Sequence, residues 1–242
     1  MPRPDLSLPE VREWWSDVAA EAMRQEALDG LFVDALPQVL SPALRAQVGE
    51  DKARSLANGA REMLALARQK MGAGKVVLAN GIRAGEHLQV LDWEGISGVV
   101  IEHFGHFQSA SKEAMKADLD SMALCAAKGK SVVLKGWPEF SWLDEDMMQR
   151  PHAELLAVAR ERITFPLACY LAAAQPNSYF CYSWGYTGAQ GTLDTYPEFD
   201  RPLGPPLADA AWHGFAATRE FAHASVRVDL AGRKAAIDWK SV

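Results

Sequence analysis

The sequence predicts an α/β fold: part of a (β/α)8-type TIM barrel with about five parallel strand–helix units, followed by a C-terminal β-hairpin. Apolar runs of strand length alternate with amphipathic helical stretches, a pattern typical of a parallel sheet. The predicted strands end in polar or aromatic side chains, as strands do at the rim of a barrel. The chain opens on a helix, so we count the five strands as the fourth to the eighth of such a barrel. The strand ends carry Asp34, Asn80, Glu102, Lys135 and Trp184.

In the first half of the chain, helical and strand patterns alternate. Ser7 and Pro9 are typical of a helix start, and Gly30 follows the end of that helix. The apolar run 31–33 is typical of a strand that is covered on both faces. The predicted elements are a helix at about 9–27, a strand at 30–35, a loop at 37–50, a helix at 50–71, a strand at 75–79, an irregular segment or short helix at 83–97 and a strand at 98–103.

The second half continues the alternation and then changes character. Pro166 lies inside a long helical pattern, so we expect a break or kink near it. The tail alternates polar and apolar residues on both sides of Gly232, which predicts a hairpin. The predicted elements are a helix at about 111–128, a strand at 131–135, a helix at 151–174, a strand at 179–184, a long loop at 185–206, a helix at 207–217 and the hairpin at about 224–239.

Composition narrows the class of protein. With 242 residues, 49% of them hydrophobic, the chain can bury a sizeable core, and we expect a single partial-barrel domain over 1–242. A net charge of -6 and the lack of a Lys/Arg-rich run argue against nucleic acid. No apolar run reaches the ~18 residues that span a membrane. The N-terminus lacks the apolar segment of a signal peptide, and the localisation stays open.

Motifs near both ends of the chain carry a family resemblance. They are Glu13-Trp14-Trp15 within residues 4–15, Asp29-Gly30-Leu31-Phe32-Val33-Asp34, Tyr196-Pro197-Glu198 within 196–204, Arg219-Glu220-Phe221, and the hairpin 224–239. Together they resemble a family of bacterial TIM barrels known as hypothetical glycosyl hydrolase family fifteen. The resemblance implies a (β/α)8 barrel with a small β extension that acts on a carbohydrate. The sequence departs from the family by lacking the first strands, so a homo-oligomer that completes the barrel is possible.

Two strand-end carboxylates, Asp34 and Glu102, are the candidate catalytic residues. Glycosidases generally place two carboxyl groups across the scissile bond. The two strands are separated by one other strand, which puts their backbones roughly 10 Å apart. Inward-leaning side chains then give either the ~5 Å of a retaining enzyme or the ~6.5–9.5 Å of an inverting one. By analogy with barrels of the α-galactosidase type, we expect retention, with Asp34 as nucleophile and Glu102 as acid/base.

Both carboxylates also have structural interpretations. Asp34 can cap the turn that follows it. Glu102 can form an ion pair with Lys135 on the next strand. Such a lysine favours the ionised carboxylate, which would suit Glu102 as the nucleophile and exchange the two roles.

Further polar and aromatic residues at strand ends and in loops are candidate substrate-binding groups. Glu198 is also an alternative second carboxylate. Asn80 can equally form a turn with Gly81, and Trp184 can equally be a core residue. The candidates are Asn80, His103, Lys135, Trp137, Trp184, Tyr186, Asp194 and Glu198.

The sequence predicts neither a metal nor a cofactor. His103 and His106 lie close to Glu102, but a strand-to-loop turn with this spacing is poor metal geometry without a third ligand. The three cysteines are scattered, with no CxxC or Cys/His spacing, and we expect them to be reduced and buried.

The sequence therefore predicts a glycoside hydrolase that cleaves an O-glycosidic bond in an oligo- or polysaccharide. Nucleic acid and membrane are not expected partners. Two alternatives stay open. The first is a catalytically inactive carbohydrate-binding or scaffold fragment of such a barrel. The second is a different barrel hydrolase or lyase that acts on an acidic polymer.

Overall fold

The computed structural model describes residues 4–25, 27–82 and 85–240. The five predicted strands form one parallel sheet in the order β1-β2-β3-β4-β5. Leu31 pairs with Val77 and Leu78 with Gly98, which sets the register of the first three strands. The α/β class and the five-stranded sheet are therefore confirmed. The strands are β1 Gly30–Val33, β2 Val76–Asn80, β3 Gly98–Ile101, β4 Ser131–Gly136 and β5 Ser178–Tyr182.

Most helices lie where the apolar periodicity predicted them. The long helix predicted at 151–174 is divided, and Pro166 lies in the first turn of the second part, where its missing N–H costs no helical hydrogen bond. The segment 37–50, predicted as a loop, contains a 3-10 helix and a short α-helix. The α-helices are α1 Pro9–Ala22, α2 Pro42–Val48, α3 Glu50–Met71, α4 Lys112–Ala127, α5 Glu145–Met148, α6 His152–Arg162 and α7 Thr164–Ala173. The 3-10 helices are Leu36–Leu40, Gly85–Asp92, Gly188–Gln190 and Pro197–Asp200. Within the described ranges, no helix is both long and apolar enough to cross a lipid bilayer.

One compact unit comprises residues 1–101 and 125–132. In this unit α1 packs along α3, and Leu64 of α3 has no exposed surface. Burying a leucine side chain contributes ~1.5–3 kcal/mol. Ser16 Oγ donates a hydrogen bond to the Met63 carbonyl over 3.2 Å, which satisfies a buried hydroxyl and ties the two helices together. This unit carries Asp34 and Asn80.

The other unit comprises residues 102–124 and 133–242. Its C-terminal part is an antiparallel sheet of four strands in the order β6-β7-β8-β9, and α7 packs against β7, β8 and β9. Buried Arg219 donates from Nη1 to the carbonyls of Leu171 (3.0 Å) and Ala174 (2.6 Å), so it satisfies the open carbonyls at the end of α7. The strands are β6 Ala211–His213, β7 Ala216–Glu220, β8 Ala224–Asp229 and β9 Lys234–Trp239.

The predicted helix at 207–217 is wrong, because β6 and β7 occupy this segment. Alanine-rich sequence favours a helix, but tertiary pairing decides the outcome here. Gly214 adopts φ +62° in the tight turn between the two strands. Ala217 is buried opposite Val228, while Thr218 faces solvent, so the burial alternates as in a strand. The predicted hairpin at 224–239 corresponds to β8 and β9.

The cysteines are free thiols, and two of the three fit the prediction. Cys125 and Cys169 are buried, as expected of small apolar residues. Cys181 in β5 is exposed, so for this residue the predicted burial is wrong.

Candidate functional site

Asp34 follows β1 directly, and its side chain is exposed. Asn80, the last residue of β2, donates a hydrogen bond from Nδ2 to Asp34 Oδ1 over 2.8 Å. The register explains this contact, because Val33 pairs with Ala79 and the next residues are neighbours. Ala35 then adopts φ +52°, which is uncommon for a residue other than glycine and turns the chain immediately after the carboxylate. The first unit therefore brings two of the predicted site residues together.

Glu102 follows β3, which is buried along its whole length. The Glu102 side chain is 15% exposed, and its Oε2 lies 3.4 Å from His103 Nε2. The Glu102 carbonyl accepts a hydrogen bond of 2.7 Å from Trp137 Nε1. Three of the predicted site residues therefore form one group in the second unit.

Lys135, near the end of β4, is a buried cation with two kinds of partner. It is 6% exposed, and its Nζ donates to the Ser183 carbonyl over 3.2 Å. The same Nζ lies 3.2 Å from the ring centroid of Trp137 and 5.2 Å from that of Tyr186, an aromatic environment that attracts a cation. Burial lowers the pKa of Lys135 to about 8, while the electrostatic effects of Cys181 and Glu102 act to raise it.

An aromatic cluster surrounds Trp137. His106 stacks on it at 5.5 Å with an interplanar angle of 25°, and Phe107 meets it edge-on at 5.4 Å. Trp142 lies 5.5 Å from Trp137 and 4.7 Å from Tyr186. Tyr186 is 47% exposed, so the cluster opens to solvent on that side. Aromatic faces of this kind are suited to the apolar face of a sugar ring.

The loop at 103–110 holds part of this cluster in an unusual backbone conformation. Gly105 has φ +70° and Phe107 has φ +47°. Arg233, next to β9, donates from Nη2 to the Gly105 carbonyl over 3.0 Å and from Nη1 to the Ala110 carbonyl over 3.4 Å.

Burial lowers the pKa of His106, and the positive charges of His103, Arg233 and Lys135 lower it further. The neutral imidazole is therefore the favoured form of His106.

Trp184 and Asp194 form a separate contact group. Trp184 has no exposed surface, and it lies 5.6 Å from Phe140 and 5.3 Å from His152 between ring centroids. His152 Nε2 lies 3.0 Å from Asp194 Oδ2. The complete burial of Trp184 favours its alternative interpretation as a core residue.

Glu198 belongs to neither of these two groups of residues. It lies in the 3-10 helix Pro197–Asp200 and lines a cavity together with Tyr170 and Trp239. None of the residues in the cluster around Trp137 lines this cavity.

Some residues of the Trp137 cluster could not be selected from the sequence. Phe107 and Trp142 contact it through loops, and only the density of aromatic residues after β3 and β4 gave a signal. Among the described residues, no three histidine, cysteine, aspartate or glutamate side chains converge as they would around a metal ion.

The structure thus has a parallel α/β sheet with carboxylates at its strand ends, one of them beside an aromatic surface. The chain belongs to hypothetical glycosyl hydrolase family 15, whose model matches residues 5–225. The resemblance found in the sequence is therefore confirmed.

Among solved structures, the chain is similar to the glycoside hydrolase domain of a PelA variant from Pseudomonas aeruginosa. The two share 18% sequence identity, with a TM-score of 0.46 over 76% of this chain. This chain spans 63% of the length of that chain. No curated protein matches the sequence.

Proposed function

We propose that this protein hydrolyses an O-glycosidic bond in an oligo- or polysaccharide, with Asp34 as nucleophile and Glu102 as acid/base. One observation carries the proposal: a carboxylate directly follows β1 and another directly follows β3, two strands of one parallel sheet with a single strand between them. A chain of a glycosyl hydrolase family needs two carboxyl groups for this reaction.

In the proposed reaction, Asp34 attacks the anomeric carbon while the bond from that carbon to the leaving oxygen breaks. Glu102 gives its proton to the leaving oxygen. The Glu102 carboxylate then takes a proton from water, and the resulting hydroxide displaces Asp34 from the anomeric carbon. Two displacements retain the configuration of the sugar.

The surroundings of each carboxylate support its assigned role. The hydrogen bond from Asn80 holds one oxygen of Asp34 and fixes the orientation of a side chain that is otherwise exposed. Glu102 is largely shielded from water beside His103, and the enclosed setting favours proton transfer to a bound substrate over exchange with solvent.

The aromatic cluster supports a carbohydrate substrate. Tyr186, which is 47% exposed, and half-buried Trp142 offer rings against which the C–H face of a sugar can pack. Trp137 is only 3% exposed, and it supports these two rings through its contacts with them. Lys135 and His103 provide hydrogen-bond donors at the same place. We assign these residues to substrate binding.

We also propose that the five parallel strands correspond to strands four to eight of a (β/α)8 barrel. Their order, with each strand beside the next one in the chain, is the order of strands in such a barrel. A homo-oligomer is also part of this proposal, and sedimentation of the purified chain would test it.

The test of the catalytic assignment uses isosteric substitutions. Asp34→Asn and Glu102→Gln should each lower turnover of aryl glycosides by at least ~100-fold, because general acid–base catalysis alone contributes ~10²–10⁴-fold. Asp29→Asn is a matched control, since Asp29 is an exposed carboxylate at the opposite end of the same strand. Full activity in both site variants would refute the assignment.

A second measurement separates the two roles. Glu102→Ala should keep much of its kcat/KM on substrates with very good leaving groups, whose departure needs no proton, although its kcat should fall because water then lacks a base. Asp34→Ala should lose kcat/KM on all substrates. The reverse pattern would exchange the roles. Wild-type protein that binds glycans but turns over none of them would support the inactive carbohydrate-binding alternative.

A further inference from the structure

His103 lies between the proposed acid/base Glu102 and a glutamine of the same loop. Its Nδ1 is 3.2 Å from Gln108 Oε1, and its Nε2 is 3.4 Å from Glu102 Oε2. The side chains of Glu102 and His103 are 15% and 23% exposed, so both are within reach of a ligand. Contacts that take part in catalysis are often this long before a substrate binds, and they shorten in the complex.

The contact with Gln108 determines which ring nitrogen of His103 carries a proton. An amide oxygen only accepts hydrogen bonds, so the Nδ1 that faces it is the donor. A neutral imidazole holds one proton, and with that proton on Nδ1 the Nε2 atom is an acceptor. His103 therefore presents an acceptor to Glu102 Oε2 whenever its ring is neutral.

The position of this ring proton decides whether His103 can exchange a further proton with Glu102. With a proton on Nδ1, a second proton can reside on Glu102 Oε2 beside a neutral ring, or on Nε2 beside the Glu102 carboxylate. If the ring carried its proton on Nε2 alone, passing that proton to Glu102 would leave an imidazolate anion, which is too basic to persist in water. Only the ring with a proton on Nδ1 can therefore supply Glu102.

The loop 103–110 holds both ends of the contact with Gln108. Gln108 is exposed, so water competes for its amide, and the contact depends on how firmly the loop places the two residues. Next to Gln108, buried Ser109 donates from its hydroxyl to the Asp118 carboxylate. On the other side, the Phe107 ring lies 4.7 Å from the His103 ring between centroids, which limits rotation of the imidazole.

We propose that Gln108 is a positioning residue for hydrolysis, which fixes the tautomer of His103 so that His103 Nε2 and Glu102 Oε2 share the proton given to the leaving oxygen. This inference rests on the proposed function of Glu102. In the first step the O–H bond of Glu102 breaks and the leaving oxygen gains the proton, while His103 stays neutral. In the second step Glu102 takes a proton from water, which restores the shared proton.

Charged and titratable neighbours act on this pair from other parts of the same unit. Lys135 on β4 and Cys181 on β5 interact electrostatically with Glu102, and His106 interacts with His103. The Lys135 ammonium opposes an additional proton on the pair, so a second residue that retains this proton has its greatest effect while Lys135 is charged. At pH 7 Lys135 is charged, and Cys181, whose pKa is raised by burial, is a neutral thiol.

The test uses variants of the full chain at pH 7. Gln108→Leu removes the acceptor at similar volume, and Gln108→Glu keeps one. Gln149→Leu is the matched control, since Gln149 is an exposed glutamine that follows α5. Nitrogen-15 NMR distinguishes protonated from unprotonated ring nitrogens, and the signals lost in His103→Gln assign this ring. Nδ1 of His103 should be protonated in the wild type, in Gln108→Glu and in Gln149→Leu, and unprotonated in Gln108→Leu.

Kinetics then separates positioning from a purely structural role. Gln108→Leu should lower kcat/KM by about tenfold on aryl glycosides with poor leaving groups, which is the typical effect of one hydrogen bond. On very good leaving groups, whose departure needs no proton, its kcat/KM should stay within about twofold of the wild type. Gln108→Glu should restore activity on the poor leaving groups, and Gln149→Leu should behave as the wild type on both.

Two results would overturn this inference. An unprotonated Nδ1 in the wild type would mean that Gln108 does not fix the tautomer of His103. Equal losses of kcat/KM on poor and very good leaving groups in Gln108→Leu would mean that Gln108 only maintains the loop. A wild type that hydrolyses no glycoside would overturn the proposed function and the catalytic part of this inference with it, and the NMR spectra tell that outcome apart from a wrong tautomer.

Discussion

Replacing Lys135 by methionine should stabilise the folded protein. Each pH unit by which a pKa falls is worth ~1.36 kcal/mol. The fall from the usual 10.5 to about 8 therefore makes the Lys135 ammonium about 3 kcal/mol less favourable in the folded chain than in water. Methionine fills a similar volume without that charge. It gives up the cation–π contact with Trp137, which is worth up to ~2 kcal/mol, and the hydrogen bond to the Ser183 carbonyl, which is worth ~0.5–1.5 kcal/mol. The net gain at pH 7 should therefore be small, at most about 1 kcal/mol or ~2–4 °C in the unfolding temperature.

The pH dependence gives this prediction its sign. The folded pKa of Lys135 lies below the unfolded one, so between about pH 8 and 10.5 the unfolded chain binds more protons than the folded chain. The stability contributed by this group therefore rises as the pH increases through that window, and the full cost of the buried charge is present below about pH 8. The advantage of Lys135→Met should be largest at pH 7 and should shrink towards pH 10.

Thermal unfolding of the wild type and of Lys135→Met at pH 7 and pH 9.5 provides the assay. Lys234→Met is the control, since Lys234 is an exposed strand residue of the same unit and should change stability by less than ~0.5 kcal/mol. A loss of 1 kcal/mol or more in Lys135→Met at pH 7 would refute the reasoning, because it would mean that the ammonium stabilises the fold.

Three further predictions concern the surroundings of the proposed site. Asn80→Leu should lower turnover of an aryl glycoside by about tenfold, because it removes the hydrogen bond that orients Asp34. Arg233→Ala should increase amide hydrogen exchange in the loop 103–110 by roughly tenfold or more, because two backbone carbonyls lose a charged donor. The pKa of His106 is lower in the folded chain than in the unfolded chain, so on acidification below about pH 6.5 the unfolded chain takes up this proton first and the wild type loses stability. His106→Gln should therefore lose less stability than the wild type over the same pH range.

Each of these predictions has a result that contradicts it. Asn80→Leu with unchanged turnover would show that Asp34 needs no orientation by this amide. Arg233→Lys should restore part of the protection from exchange in the loop. Equal exchange rates in the alanine and lysine variants would show that a charged hydrogen-bond donor at position 233 does not protect the loop. If the unfolding temperature of His106→Gln decreases on acidification as steeply as that of the wild type, groups other than His106 cause the loss of stability.

Much of the fold was predictable because it depends on local patterns. The helix Glu50–Met71 has its predicted bounds, since its buried residues recur at helical spacing and glycines follow it. The segment 207–217 was not predictable in this way, because β7 is a strand only by virtue of its pairing with β8. Alanine supplies no apolar pattern strong enough to signal that pairing.

The candidate site likewise contains residues that local sequence patterns predicted and residues whose roles depend on tertiary contacts. Asp34, Asn80 and Glu102 could be selected because each directly follows or ends a recognisable strand. The contacts of Trp142 and Phe107 with Trp137 depend on how loops fold back, which no local pattern encodes. The burial of Trp184 is a packing property that a position at a strand end does not reveal.

The contact between Arg233 and the Gly105 carbonyl joins residues 128 positions apart. On the ribosome, at ~5–20 residues per second, the loop at 103–110 therefore emerges roughly 6–25 s before the arginine that secures it. During that interval the backbone carbonyls of Gly105 and Ala110 depend on water or on other partners. The aromatic surface next to Glu102 thus takes its final form only when the β8–β9 hairpin has been synthesised, which makes the synthesis of this hairpin the step that completes this part of the protein.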